Sequence, residues 1–71
     1  MKVTKTQALM LILKMLLEQG YVTKEEVMDQ IDIADITFRK YMQEVRAFFS
    51  NFNIPYELKY SRAEQKYYLF K

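Results

Sequence analysis

The chain contains no cysteine and no histidine. Without cysteine, disulfides and thiolate metal sites are excluded, which fits a reducing, cytoplasmic setting. Without histidine, the commonest metal ligand and the commonest general base are both missing. No glycine-rich phosphate loop is present either, and Ser50 and Ser61 have no base partner in the sequence. The expectation is a non-enzyme with no cofactor and no metal. Asp29, Asp32 and Asp35 have a spacing that could gather carboxylates, but a turn interrupts any single helical face there. Long hydrophobic runs are absent too. The apolar run at residues 8–13 is broken by Lys14 and resumes only for residues 15–17, too short to span a bilayer. Lys2 and Lys5 precede it, but no small-residue cleavage site follows, so neither a signal peptide nor a membrane partner is expected.

What is present is large apolar residues and an uneven charge. The 71 residues allow one domain, and about half of them (51%) are hydrophobic, enough for a core that is marginal at this size. Residues 24–35 hold one basic side chain, Lys24, against five acidic ones. Residues 36–71 hold seven basic side chains against three acidic ones. The basic surface therefore belongs to the second half of the chain, where it could meet phosphates or simply be solvated.

Start and stop signals divide the chain. Thr4 followed by Gln7 fits a capping box, and Gly20 supplies the left-handed residue that ends helices, giving a first helix at about 5–19. Its apolar residues outnumber what one buried face needs. Either the helix is wrapped on more than one side, or a spare face serves a homodimer through this first helix. Thr23 and Glu26 form a second capping box, with Val22 and Val27 placed as a hydrophobic staple, and a helix at about 24–31 buries Val27, Met28 and Ile31. A third helix, about 35–51, carries the stripe Phe38, Met42, Val45, Phe49 and Phe52, widened by Tyr41 and Phe48. Its other face shows Ile36, Arg39, Lys40, Gln43, Ala47 and Ser50. The period then changes to two. Residues 54–60 and 66–70 read as the strands of a hairpin with a loose, polar tip at residues 61–66.

The expected fold is thus α+β and mainly α: three helices with a tight turn between the last two, then a C-terminal two-stranded β-hairpin. That is the layout of a winged helix-turn-helix domain, a device for setting one helix in the major groove of DNA. The chain ends straight after its second strand, so a separate sensor domain is not expected.

With these elements in place, the chain resembles the DeoR-type winged helix domains, a set close to the N-terminal domains of the biotin repressor and of WYL-domain regulators. Val27-Met28-Asp29-Gln30-Ile31 is similar to the Leu-Ala-x-x-Leu end of the family's second helix. Residues 34–45 (Ala34-Asp35-Ile36-Thr37-Phe38-Arg39-Lys40-Tyr41-Met42-Gln43-Glu44-Val45) are similar to its Ser-x-x-Thr-Ile-x-Arg-Asp-Ile-x-x-Leu, and Tyr67-Tyr68-Leu69 to the Tyr-Tyr-Leu that ends the wing. Asp32-Ile33 replaces the family's Gly-Val, Ala34 its capping Ser, and Tyr41 its Asp, while Lys40 keeps the charge of its Arg without the bidentate reach. The resemblance implies a winged helix fold and binding to double-stranded DNA in transcriptional regulation. Arg39, Lys40 and Gln43 are then expected at base edges, Thr37 at a phosphate or within its helix, and Arg46 at the backbone. Arg62 and Lys66 at the hairpin tip, with Lys59 on its strand, are expected at a neighbouring phosphate or the minor groove. The alternative is a winged helix that mediates protein–protein contact or dimerisation with little or no DNA binding, for which Ile36 and the crowded first helix speak.

Overall fold

A computed structural model describes residues 3–71; Lys2, one of the two lysines ahead of the first apolar run, lies outside them. Its elements are three helices and three strands: α1 (Lys5–Gln19), β1 (Tyr21–Thr23), α2 (Lys24–Gln30), α3 (Asp35–Asn51), β2 (Glu57–Ser61) and β3 (Lys66–Phe70). The domain is α+β and mainly helical, with one antiparallel sheet in the order β1-β3-β2.

The helix ends follow from local chemistry. Thr4 Oγ1 accepts a hydrogen bond from the Gln7 N–H at 3.2 Å, and Gly20, at φ 81°, turns the chain out of α1 with its N–H on the Leu16 carbonyl. Thr23 caps α2 in the same way, from the Glu26 N–H at 3.0 Å. Only half of that second capping box forms, because the Glu26 carboxylate accepts instead from Gln19 Nε2 at 2.8 Å. The end of α3 is a Schellman turn. Asn53 sits in the left-handed region at φ 54°, its N–H reaches Ser50, and the Ile54 N–H reaches Phe49.

Two expectations need correction. The sheet has three strands, not the two of a lone hairpin. Residues 21–23 pair with β3 in the register Tyr21↔Tyr68, Val22↔Tyr67 and Thr23↔Lys66, and the Leu69 N–H also bonds the Gly20 carbonyl at 2.9 Å. A three-residue strand is too short to display alternation, and Val22 has the look of a staple. In the fold it is the middle residue of β1 and is fully buried. The second correction concerns the core: Phe52 and Phe48, both read into the stripe of α3, are 69% and 40% exposed, and Met28, expected to be buried, is only half-buried. The stripe of α3 stops at Phe49 because the helix stops at Asn51, and Phe52 swings outward to pack on Phe48, ring centroids 5.3 Å apart.

The core gathers Ala8, Ile12, Met15 and Leu16 from α1, Val22 from β1, Val27 from α2 with Ile31 just beyond it, and Phe38, Met42, Val45 and Phe49 from α3. Leu58 and Leu69 close it from the sheet. Alternation then divides the sheet's side chains. Leu58, Tyr60, Tyr67 and Leu69 face the helices, while Tyr21, Lys59, Lys66, Tyr68 and Phe70 face away. No helix among the described residues is long and apolar enough to cross a membrane.

Candidate functional site

The apolar stripe of α3 fixes which way its polar side points. With Phe38, Met42, Val45 and Phe49 turned into the core, Ile36, Arg39, Lys40 and Gln43 face solvent. The hairpin folds back beside this helix, and a guanidinium holds it there. Arg46 Nη2 donates to the Leu58 carbonyl of β2 at 2.8 Å. Phe38 and Tyr67 meet edge to face across the same junction, centroids 5.8 Å apart.

Between α3 and the hairpin lies an open cleft of about 570 Å³. Arg39, Gln43 and Arg46 line it from α3, Tyr60, Arg62, Gln65 and Tyr67 from the hairpin, and Lys24 from α2. Phe38 and Met42 reach it from the core. Four cations thus meet two carboxylates, Glu25 and Asp35. Burial, and secondarily the neighbouring Tyr60, push the Tyr67 phenol above its ordinary pKa, so it stays neutral and leaves the positive balance intact.

Asp35 is the restraining charge. It opens α3, and its carboxylate lies 3.3 Å from Lys24 Nζ and 3.5 Å from Arg39 Nε. The residue before it, Ala34, occupies the N-cap with an extended backbone (φ −76°, ψ 157°) and has no side chain to cap with. The unpaired N–H groups at the start of α3 therefore receive no side-chain cap from this position. Ala34→Ser is expected to stabilise the fold by about 1 kcal/mol, since backbone geometry and exposure already suit a capping hydroxyl. A urea melt that shows no gain would mean that the new hydroxyl does not reach the Thr37 N–H.

The structure brings together some of the expected site residues and separates others. Arg39, Gln43, Arg46 and Arg62 share the cleft. Lys40 is exposed on the same helix but outside the cleft, and Thr37 is half-buried in the first turn of α3. Lys59 and Lys66 are on the far face of the sheet. Lys59 lies 3.7 Å from Glu57 and 5.7 Å from the Phe70 ring centroid, and Lys66 lies 4.6 Å above the Tyr21 ring. Sequence reasoning missed Lys24, Tyr60 and Gln65. Tyr60 and Gln65 flank the hairpin tip and were discoverable once the strand register was known. Lys24 sits in an acidic helix, and nothing in its surroundings along the chain announces that it meets Asp35.

A larger cavity, about 700 Å³, is lined by Val3, Ala8, Met28, Ile31, Ile33 and Tyr41 together with Gln30, Asp29 and Asp32. Among the described residues its lining carries no basic side chain and two carboxylates, Asp29 and Asp32. Among the described residues no three acidic side chains converge as metal ligands. The chain matches no protein-family model, no curated protein and no solved structure.

Proposed function

We propose that this chain is a winged helix-turn-helix domain resembling the DeoR-type set, and that it binds double-stranded DNA as a cytoplasmic transcriptional regulator rather than acting as an enzyme. The observation that carries the reading is the cleft. Basic and amide side chains from α3, α2 and the hairpin tip converge on one concave surface beside an exposed helix face. In this reading α3 enters the major groove, where Arg39 suits guanine, Gln43 suits adenine, and Ile36 offers apolar contact to a thymine methyl. Lys24 and Arg62, which line the cleft from α2 and from the hairpin tip, are the phosphate contacts in this reading. Arg46 contributes mainly by holding the hairpin in place, since one of its nitrogens is committed to Leu58.

The deciding experiment is binding of random-sequence duplex DNA by fluorescence anisotropy as salt is raised. Several phosphate contacts give a steep linear fall of log K with log salt, about 0.9 per phosphate neutralised. Absence of binding at low salt would overturn the reading. Within the same assay, Arg62→Ala is expected to reduce the slope by about one. Lys59→Ala is expected to leave it unchanged, because Lys59 faces away from the cleft. Equal losses from both variants would point to diffuse attraction by net charge instead of a built interface.

A second reading is a protein-interaction module with little DNA affinity. Ile36, 64% exposed at the start of α3, favours it. Titration with duplex DNA separates the two, because an apolar contact surface gives no salt-dependent DNA binding.

A further inference from the structure

We propose that Asp35 is a positioning residue for base recognition: it holds Arg39 by Nε, so that the guanidinium offers its Nη1–Nη2 edge to guanine. The inference deepens the DNA reading of the cleft and rests on it. An arginine guanidinium is a rigid planar fork of N–H donors. Asp35 Oδ2 lies 3.5 Å from Arg39 Nε. Among the described residues Arg39 pairs through Nε alone, so the Nη1–Nη2 edge is left for a ligand. That edge matches the O6 and N7 acceptors of guanine in the major groove.

Two features separate this pair from an ordinary ion pair along a helix. The carboxylate is also held from outside α3, since Oδ1 lies 3.3 Å from Lys24 Nζ on α2. Each carboxylate oxygen thus serves one cation, and Asp35 is held from two elements. In addition, Arg39 lines the cleft beside Gln43, one turn further along α3. Of the three paired side chains Arg39 is the most exposed, 71% against 47% for Asp35 and 42% for Lys24. The group that would meet a base edge is therefore the one that solvent reaches most.

An exposed pair of this kind adds little stability, so its consequence lies in orientation. A free arginine loses rotamer freedom when a base captures it. Pairing at Nε removes part of that cost in advance for the end-on geometry that guanine needs. A phosphate contact carries no base information and gains nothing from it. The Asp35 charge meanwhile repels every phosphate alike. Asp35 thus lowers affinity for duplex DNA in general and raises the preference for guanine. Affinity and specificity move in opposite directions when it is removed.

The test uses the full chain and a pool of duplex DNA with a random central segment. Sequences enriched by the unmodified chain are remade with each G·C pair changed singly to A·T, and affinities are read by fluorescence anisotropy. At one G·C pair the change is expected to cost on the order of tenfold, and Arg39→Lys should abolish that preference. Asp35→Ala should lose several-fold of the preference at the same pair while its affinity for the unselected pool rises. Asp29→Ala, an equal change of charge outside the cleft, should keep the preference. In an Arg39→Lys background Asp35→Ala should have no further effect on it, because the two residues act as one unit. Each variant is checked by thermal melt, and Asp35→Asn, close in shape without the charge, repeats the test if the alanine variant unfolds early. Full preference in both Asp35 variants, or an equal further loss in the Arg39→Lys background, overturns the positioning role and leaves the DNA reading intact. The same holds if no G·C pair responds to Arg39→Lys. Absence of binding to the pool at low salt overturns both.

Discussion

Phe38→Ala is expected to remove about 3 kcal/mol of stability. Phe38 is 2% exposed, and its ring stands edge-on to Tyr67, so it joins the third helix to the sheet as well as filling the core. Deleting a buried phenyl costs about 3–5 kcal/mol through lost transfer energy and the cavity left behind. The lower end applies because Phe38 also borders the open cleft, through which solvent and neighbouring side chains can enter the space. A chain of this length has roughly 4–11 kcal/mol in all, so the variant loses a large share of it. The melting temperature should fall by about 12–24 °C, measured by circular dichroism. Phe52→Ala makes the contrast. The same chemical change at an exposed ring, packed on Phe48, should cost no more than about 1 kcal/mol. Similar losses at the two positions would mean that the core boundary drawn at Phe49 is wrong.

The same pair of residues shows what the sequence could and could not convey. Periodicity named Phe38, Met42, Val45 and Phe49 correctly as the inner face of α3, since a four-three spacing of large apolar residues has one geometric solution on a helix, but Phe48, read as widening it, is exposed. It could not say where that face stops being covered. Phe52 continues the spacing by one more step, but the backbone has by then turned at Asn53. Caps were legible because they are local. Thr4, Gly20 and Thr23 act within four residues of their own positions. Strand β1 was not legible, because three residues reveal no period and its partner, β3, lies more than forty residues away.

For the candidate site the division is sharper. Residue type and helix face sufficed to place Arg39 and Gln43 on the exposed side of α3. Lys59 and Lys66 were grouped with Arg62 because they are close in sequence and share its charge. In a strand, however, alternation decides the face, and the register sends both lysines to the side away from the helices. Arg46 was expected at the DNA backbone, yet one of its nitrogens is committed to a strand carbonyl that only the folded hairpin brings near. Charge could be counted from the sequence; which charges share a surface depended on contacts between distant residues.

Asp35→Ala is expected to raise affinity for duplex DNA about tenfold to a hundredfold near 0.1 M salt. In the folded chain this carboxylate lies between Lys24 and Arg39, both of which line the cleft. Removing it frees one or two cations for phosphate, and each added phosphate contact contributes about one factor of ten at that salt through counterion release. The salt slope should steepen by about one to two for the same reason. Stability should move the other way. Asp35 starts α3, where negative charge complements the helix dipole, and its loss costs roughly 0.3–1 kcal/mol, reduced by solvent screening because the side chain is half-exposed. Asp29→Ala is the control, since it changes net charge equally from an exposed position outside the cleft. It should give a distinctly smaller gain. Equal gains from the two would show that only net charge matters. Weaker binding by Asp35→Ala would show that the carboxylate itself touches the DNA, as an acceptor for a cytosine amino group does. Unchanged binding in a folded variant would remove Lys24 and Arg39 from the interface, and with them the observation on which the cleft reading rests.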